Sequence, residues 1–182
     1  MKKRSFLLVF LVIIAASCYS QLTTVSGTVT YKNLFSTPMN NCTVELLQGA
    51  VVFYSAITDS TGNYQINLVA PGNYTIKVTT QKPAGGMAAA DGLSILRHFV
   101  GMPPLLTGLN LLAGDCSNDG YYNAVDALFI SRRFVAQIPT FPAGDWIFEQ
   151  FTVVVNGNPV IQNLKCLCFG DTNGSYIPSS LP

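Results

Sequence analysis

Twelve consecutive residues constrain this chain more than any other stretch. Asp115-Cys116-Ser117-Asn118-Asp119-Gly120-Tyr121-Tyr122-Asn123-Ala124-Val125-Asp126 puts side-chain oxygens at loop positions 1, 3, 5, 9 and 12. A hard divalent cation takes about six to eight oxygen ligands, and a loop that wraps the ion delivers them from alternate residues. Asp115, Ser117 and Asp119 supply the first three, the Tyr121 carbonyl the fourth, and Asn123 a fifth, directly or through water. Asp126 closes the shell from the first turn of the following helix, and Gly120 stands at position 6, where the turn is sharpest. A polar turn capping a helix uses the same residue types. Turn chemistry alone does not require oxygen at all five positions with glycine at the sixth. Three carboxylates in one loop repel one another when empty, so a Ca2+ ion is expected to belong to the folded state.

The chain opens with a segment unlike the rest. Lys2, Lys3 and Arg4 precede an apolar run from Phe6 to Ala16 that is too short to span a bilayer and ends in small residues. Residues 1–20 therefore read as a signal peptide, and the protein as secreted. Cleavage after Ser20 leaves Gln21 as the N-terminus; cleavage before Cys18 makes a lipoprotein at the cell surface, although Ala15-Ala16-Ser17-Cys18 lacks the usual leucine of a lipobox. Loss of the three basic residues takes the formal charge from +1 to −2, which offers nothing to nucleic acid. Cys42, Cys116, Cys166 and Cys168 remain in either scheme, an even number in an oxidising compartment, so disulfides are open to them. Cys166-Leu167-Cys168 is too tight for ordinary zinc spacing.

About 160 residues are left for folding. From Leu22 to about Thr80, short runs of alternating apolar and polar residues are separated by Gly, Pro, Asn and Asp: Val25 to Tyr31, Thr43 to Leu47, Val51 to Ile57, Tyr64 to Leu68, and Tyr74 to Val78. These predict the strands of a small sandwich, with Tyr31, Phe53, Tyr54, Tyr64 and Tyr74 on core or strand faces. Two turns, Thr58-Asp59-Ser60-Thr61-Gly62-Asn63-Tyr64 and Ala70-Pro71-Gly72-Asn73-Tyr74-Thr75-Ile76, each lead into a strand that begins with an aromatic. The pattern resembles the carboxypeptidase regulatory-like and Cna-B-like family, transthyretin-like β-sandwiches of secreted bacterial proteins. That resemblance implies a spacer or accessory module over residues 21–80, and some relatives bind starch.

Residues 81–140 contain an internal repeat with an offset of 35. Ala89-Ala90-Asp91-Gly92-Leu93-Ser94-Ile95-Leu96-Arg97-His98-Phe99-Val100 aligns with Ala124-Val125-Asp126-Ala127-Leu128-Phe129-Ile130-Ser131-Arg132-Arg133-Phe134-Val135. Leu93, Leu96, Phe99 and Val100, with Leu128, Phe134 and Val135, fall at helical spacings and predict one buried stripe per helix, two helices packing face to face about a pseudo-twofold axis. A tandem of loop and helix of this kind resembles the type I dockerin family, modules that attach secreted proteins to cohesin receptors. The second segment matches the family pattern, with Ser117 for the more usual asparagine. The first departs from it: Thr80, Lys82, Ala84 and Ala88 stand where ligands are expected, and only Asp91 survives. One calcium site is therefore expected, the first loop being held by Pro83, Gly85, Gly86 and packing on the sandwich. The resemblance places partner contacts at Ala89-Ala90, Arg97 and His98, and at Ala124, Val125, Arg132 and Arg133. The Ser-Thr pair of familiar dockerins is missing. The arginines equally suit a solvated helix end, where cations complement the dipole, and the partner can equally be intramolecular, the protein's own sandwich.

In residues 141–182, Trp146 to Val155 and Val160 to Phe169 flank Asn156-Gly157-Asn158-Pro159, which predicts a β-hairpin. Gly170-Asp171-Thr172-Asn173-Gly174-Ser175 reads either as a plain turn or as half of another calcium loop, with no acidic residue following to close a shell. This segment resembles one that follows dockerin-like repeats in exported Bacteroidetes-type proteins. The expected architecture is α+β and multidomain: a transthyretin-like β-sandwich, a dockerin-like pair of calcium-loop helices, and a short β-hairpin tail. The expected function is calcium-dependent scaffolding or adhesion through a cohesin-like domain, with a link to polysaccharide degradation inherited from the resemblance. The alternative is a carbohydrate-binding accessory module that takes a glycan on the sandwich. An enzyme is not expected: outside the loop the acids are few, and His98 has no evident nucleophile or base beside it.

Overall fold

The computed structural model describes residues 21–179; the expected signal peptide and Cys18 lie outside the described residues. Five strands come from the N-terminal part, β1 (Thr23–Tyr31), β2 (Thr43–Gln48), β3 (Val51–Ile57), β4 (Asn63–Val69) and β5 (Gly72–Thr79). Strand β5 shows why they form: Tyr74, Ile76 and Val78 are buried while their neighbours face solvent, the period of a half-buried strand. Leu68 breaks the same alternation in β4. The β1–β4 pairing slips between Thr23 and Val25, and Leu68, with φ +58°, is pushed outward at the irregularity.

Four more strands come from the C-terminal segment: β6 (Trp146–Phe148), β7 (Phe151–Val155), β8 (Val160–Ile161) and β9 (Leu164–Cys168). They do not form the expected separate hairpin tail. The Asn156–Pro159 turn instead carries the chain from one sheet to the other. Strand β7 lies antiparallel to β5, Tyr74 opposite Val153, and completes the sheet β3-β2-β5-β7. Strand β9 runs parallel to β1, Val29 opposite Leu164, in the sheet β4-β1-β9-β6, where β8 also pairs with β1. The physical reason is that β1 and β5 would each leave a backbone edge unpaired, and the returning strands fill both. Val25, Val29, Tyr31, Val44, Leu46, Ile76, Leu164 and Cys166 make up the middle of the resulting core.

Between these strands lie three helices, α1 (Ala89–Phe99), α2 (Gly108–Leu112) and α3 (Ala124–Phe134). Helices α1 and α3 pack on each other, but not through the expected stripe. Leu93, Leu96, Phe99 and Val100, and Leu128, Phe134 and Val135, are exposed; the buried residues are Asp91, Gly92 and Ile95 on α1 and Asp126, Ala127 and Ile130 on α3. A Cβ added to Gly92 would lie 3.4 Å from the Ala127 carbonyl. Helices that approach this closely need small residues at the crossing, so the larger apolar side chains are turned away. Ile95 and Ile130, wholly buried and equivalent in the repeat, meet Cys116 and Phe141 in a second small core. Phe53 is also exposed, unlike Tyr31, Tyr64 and Tyr74.

Candidate metal centre

The 115–126 loop folds around its own carboxylates. Asp115 accepts from the amides of Asp119 at 3.1 Å and Gly120 at 3.0 Å, and Asp119 accepts from Tyr121 N at 2.9 Å. Gly120 has φ +80° and Asn118 φ +60°, both left-handed, as a loop turning this sharply requires. The chain then enters α3 through Asn123, whose side chain caps the helix by accepting from Val125 N at 2.7 Å. Asp126 is wholly buried and joins both ends of the loop, its two oxygens accepting from Ser117 N and Asn123 N at 3.0 Å each. Among the described residues, no three His, Cys, Asp or Glu side chains gather into a metal-holding group. A cation held by this loop would therefore need the Ser117 hydroxyl, the Asn123 amide and the Tyr121 carbonyl as well as Asp115, Asp119 and Asp126. That all-oxygen set suits calcium chemically. Cys116, the one sulfur in the loop, is buried and donates back to the Ala113 carbonyl.

Asp91, the surviving acid of the first segment, occupies the place on α1 that Asp126 occupies on α3, and it too is wholly buried. One oxygen accepts from Ala88 N at 2.9 Å. The other accepts from the Thr172 hydroxyl at 3.0 Å and Asn173 N at 3.2 Å. The turn 170–175 thus lies against α1, a juxtaposition not visible in the sequence because some eighty residues separate its halves. Asp171, also wholly buried, accepts from the Tyr31 hydroxyl at 2.5 Å, Ser175 N at 2.9 Å and Tyr176 N at 3.0 Å. Burial pushes the Tyr31 phenol far above its usual range, with the charges of Cys168 and Asp171 adding to it. The linker before α1 is held as its residues suggested: Tyr176 donates to the Pro83 carbonyl at 2.9 Å and Gly85 N approaches Cys168 Sγ at 3.4 Å.

The expected partner-contact residues separate into two groups. Ala124, Val125 and Arg132 are exposed. Arg133 is engaged inside the fold, 2.7 Å from Asp145 and with its guanidinium 4.6 Å above the Phe141 ring. Arg97 donates to the Pro103 carbonyl and His98 sits edge-on to Tyr122, both half-buried. Among the described residues, Cys42, Cys116, Cys166 and Cys168 are free thiols, all buried; burial pushes Cys168 up to about 12 and Cys116 higher still. A surface groove of about 500 Å³ is lined by Trp146 and Phe148, whose rings stack at 6.2 Å, together with Lys77 and Gln150. No helix among the described residues is long and apolar enough to cross a membrane.

No curated protein matches the chain significantly. Among solved structures, the Bacillus anthracis TIE protein is similar over 81% of this chain at 9% identity and TM-score 0.38. A chain of a type II cohesin–X–dockerin complex from Acetivibrio cellulolyticus is 35% identical over 32% of this chain, with TM-score 0.26. A second such complex aligns over 60% of this chain and 94% of its own at 18% identity and TM-score 0.28. The chain spans 17% and 38% of the first two, and with TM-scores this low none of the three establishes a shared fold. Residues 24–88, which carry β1 to β5 and the linker to α1, match the family model of the carboxypeptidase regulatory-like domain, so the β-sandwich part of the chain is of that kind.

Proposed function

We propose that this protein is a non-enzymatic, exported attachment module, in which calcium organises a dockerin-like helix pair set on a β-sandwich and the outer face of that pair docks a cohesin-type domain. The observation that carries this reading is a duplicated apolar surface. Leu93 and Phe99 on α1 with Val100 at its C-cap, and their repeat equivalents Leu128 and Phe134 on α3 with Val135 at its C-cap, are all between 56% and 64% exposed. Single exposed leucines are ordinary, but six large apolar side chains at matched positions of two packed helices are the composition of a docking site. Bound calcium would neutralise Asp115, Asp119 and Asp126. The chain's own groups do the rest: Asp126 ties the loop to α3 through the Ser117 and Asn123 amides, which fixes the angle at which Leu128, Phe134 and Val135 are displayed. Export rests on residues 1–20, with Cys18 as the alternative lipid anchor, and any link to polysaccharide degradation would belong to the assembly that the partner recruits.

The test is binding to immobilised type I and type II cohesin domains in calcium and in chelator, for the wild type and Leu93→Asp/Leu128→Asp. Binding that requires calcium and is lost in the folded variant is expected. Absence of binding to every cohesin, or binding indifferent to the variant, contradicts the reading. The stacked pair Trp146 and Phe148, half-buried in a groove that Lys77 and Gln150 also line, favours a second reading as a glycan-binding accessory module. Glycan-array binding lost in Phe148→Ala and unaffected by chelator would favour it.

A further inference from the structure

We infer that the chain holds a second cation site, assembled from both sides of the α1 linker, in which the C-terminal turn supplies the ligands that the first repeat lacks. This rests on the calcium reading above and extends it to residues that the repeat alignment leaves out. Numbered back from Asp91 as position 12, Gly86 falls at position 7 and Ala88 at position 9. Numbered forward from Asp171 as position 1, Asn173 is position 3 and Ser175 position 5. The two half-loops meet where an unbroken loop would join them, since the Ser175 hydroxyl lies 3.2 Å from the Gly86 carbonyl oxygen.

The agreement with the intact loop extends to individual bonds. Asp171 accepts from the amides four and five residues on, as Asp115 does. Asp91 accepts from the position-3 amide of Asn173 and the helix-entry amide of Ala88, as Asp126 accepts from Ser117 and Asn123. Position 4 is left-handed in both, Gly174 at φ +67° and Asn118 at +60°. Gly86, at φ +86°, could not carry a side chain: an added Cβ would lie 2.6 Å from Asp171 Cγ.

Charge gives the independent reason to expect an ion. Asp91 and Asp171 are both wholly buried, and among the described residues neither forms an ion pair with Lys, Arg or His. Two buried carboxylates brought together without a counter-charge are strongly unfavourable unless a cation joins them or one of them holds a proton, and a count of bound ions separates these two outcomes. The oxygens available are the two carboxylates, the Asn173 amide, the Ser175 hydroxyl and the Gly86 carbonyl, with Asn173 and Ser175 on the solvent side, where an ion can enter. Position 9 is alanine, so its ligand would be water. A hard divalent cation with oxygen preference, calcium foremost, fits this set. Since Asp171 is also bonded to Tyr31 at the end of β1, the ion would bind the C-terminus, α1 and the sandwich together.

The experiment counts calcium ions on the purified protein by native mass spectrometry, with Trp146 fluorescence confirming that each variant is folded. Two ions are expected on the wild type, one on Asp115→Ala/Asp126→Ala, one on Asp171→Asn, and none when these substitutions are combined. Asp171→Asn, with its carbonyl oxygen toward Tyr31 and Tyr176 N, keeps the size and those two bonds while removing one charge and the acceptor for Ser175 N. Should it fail to fold, the exposed Asn173→Ala on the Asp115→Ala/Asp126→Ala background serves, with the remaining site weakened about tenfold. A single ion lost in Asp115→Ala/Asp126→Ala overturns the second site and leaves the intact loop standing. A single ion kept in that variant and lost in Asp171→Asn supports the second site and overturns the intact loop. No ion on the wild type overturns both.

Discussion

Replacing Ile130 and Leu128 by alanine, one at a time, separates the core of the helix pair from its surface. Ile130 is wholly buried against Ile95, Cys116 and Phe141, whereas Leu128, two residues earlier on the same helix, is more than half exposed. Truncating a buried isoleucine removes its transfer free energy and leaves a cavity, together about 2–5 kcal/mol. Ile95 faces Ile130 across the crossing and Gly92 already brings the helices into contact, so the site has little room to collapse, and about 3 kcal/mol is expected. Leu128 loses only the area that α3 and its neighbours cover, worth less than about 1 kcal/mol. With a urea dependence of about 2 kcal/mol per molar, the midpoint falls by about 1.5 M for Ile130→Ala and by less than about 0.5 M for Leu128→Ala. Far-UV circular dichroism follows the helices, and the single tryptophan, Trp146, 5.9 Å from the Tyr31 ring, follows the sandwich. Equal midpoints for the two variants, or a larger loss for Leu128→Ala, would mean that the apolar stripe is the packed face after all and would remove the proposed docking surface.

Gly86→Ala forces a Cβ against Asp171 in a left-handed backbone, so it should lower stability by at least about 1 kcal/mol and expose the C-terminus to carboxypeptidase trimming; an unaffected midpoint would contradict the packing of the C-terminal turn. Burial raises Tyr64 to about 12 and Tyr31 further. Because these folded values lie above the unfolded one near 10, the stability that the neutral phenols contribute is complete below about pH 10 and is lost as pH rises toward 12. Tyrosinate absorbance should therefore show a late class of phenols that ionises with unfolding, and a single titration near 10 for all tyrosines would refute it. Cys42, Cys116, Cys166 and Cys168 are buried thiols and should resist labelling in the native protein and react fully in urea; ready native labelling, or disulfides by mass, would contradict the free-thiol state.

Features that the sequence made legible share a physical origin in local periodicity or loop chemistry. Alternation marked β1 to β5, and the repeat marked α1 and α3 within a residue or two, because each element's pattern reflects its own burial. The direction of the helix faces was not legible. Leu93 and Leu128 read as core by hydrophobicity, yet Gly92 and Ala127 occupy the crossing, and only a closely packed neighbour distinguishes a stripe that is buried from one that is available. The C-terminal segment differs for a related reason: Asn156-Gly157-Asn158-Pro159 is a good turn locally, but β7 and β9 are drawn to the open edges of β5 and β1, whose paired residues lie from 75 (Phe151 opposite Ile76) to 135 (Leu164 opposite Val29) positions upstream. The shell around Asp91 was hidden by the same distance. Asp-x-Asn-x-Ser at 171–175 lacked a closing acid in its own neighbourhood, and that acid is Asp91 on another element.

The central claim is that oxygen ligands in the 115–126 loop bind calcium and so organise the helix pair. Calorimetric titration of the metal-free protein with calcium, beside Asp115→Ala/Asp126→Ala, tests it most directly. The account predicts saturable heat with a dissociation constant of about 10⁻⁷ to 10⁻³ M, at least one equivalent of which is lost in the variant. No heat from protein shown to be calcium-free, or an isotherm unchanged by the substitutions, would contradict it.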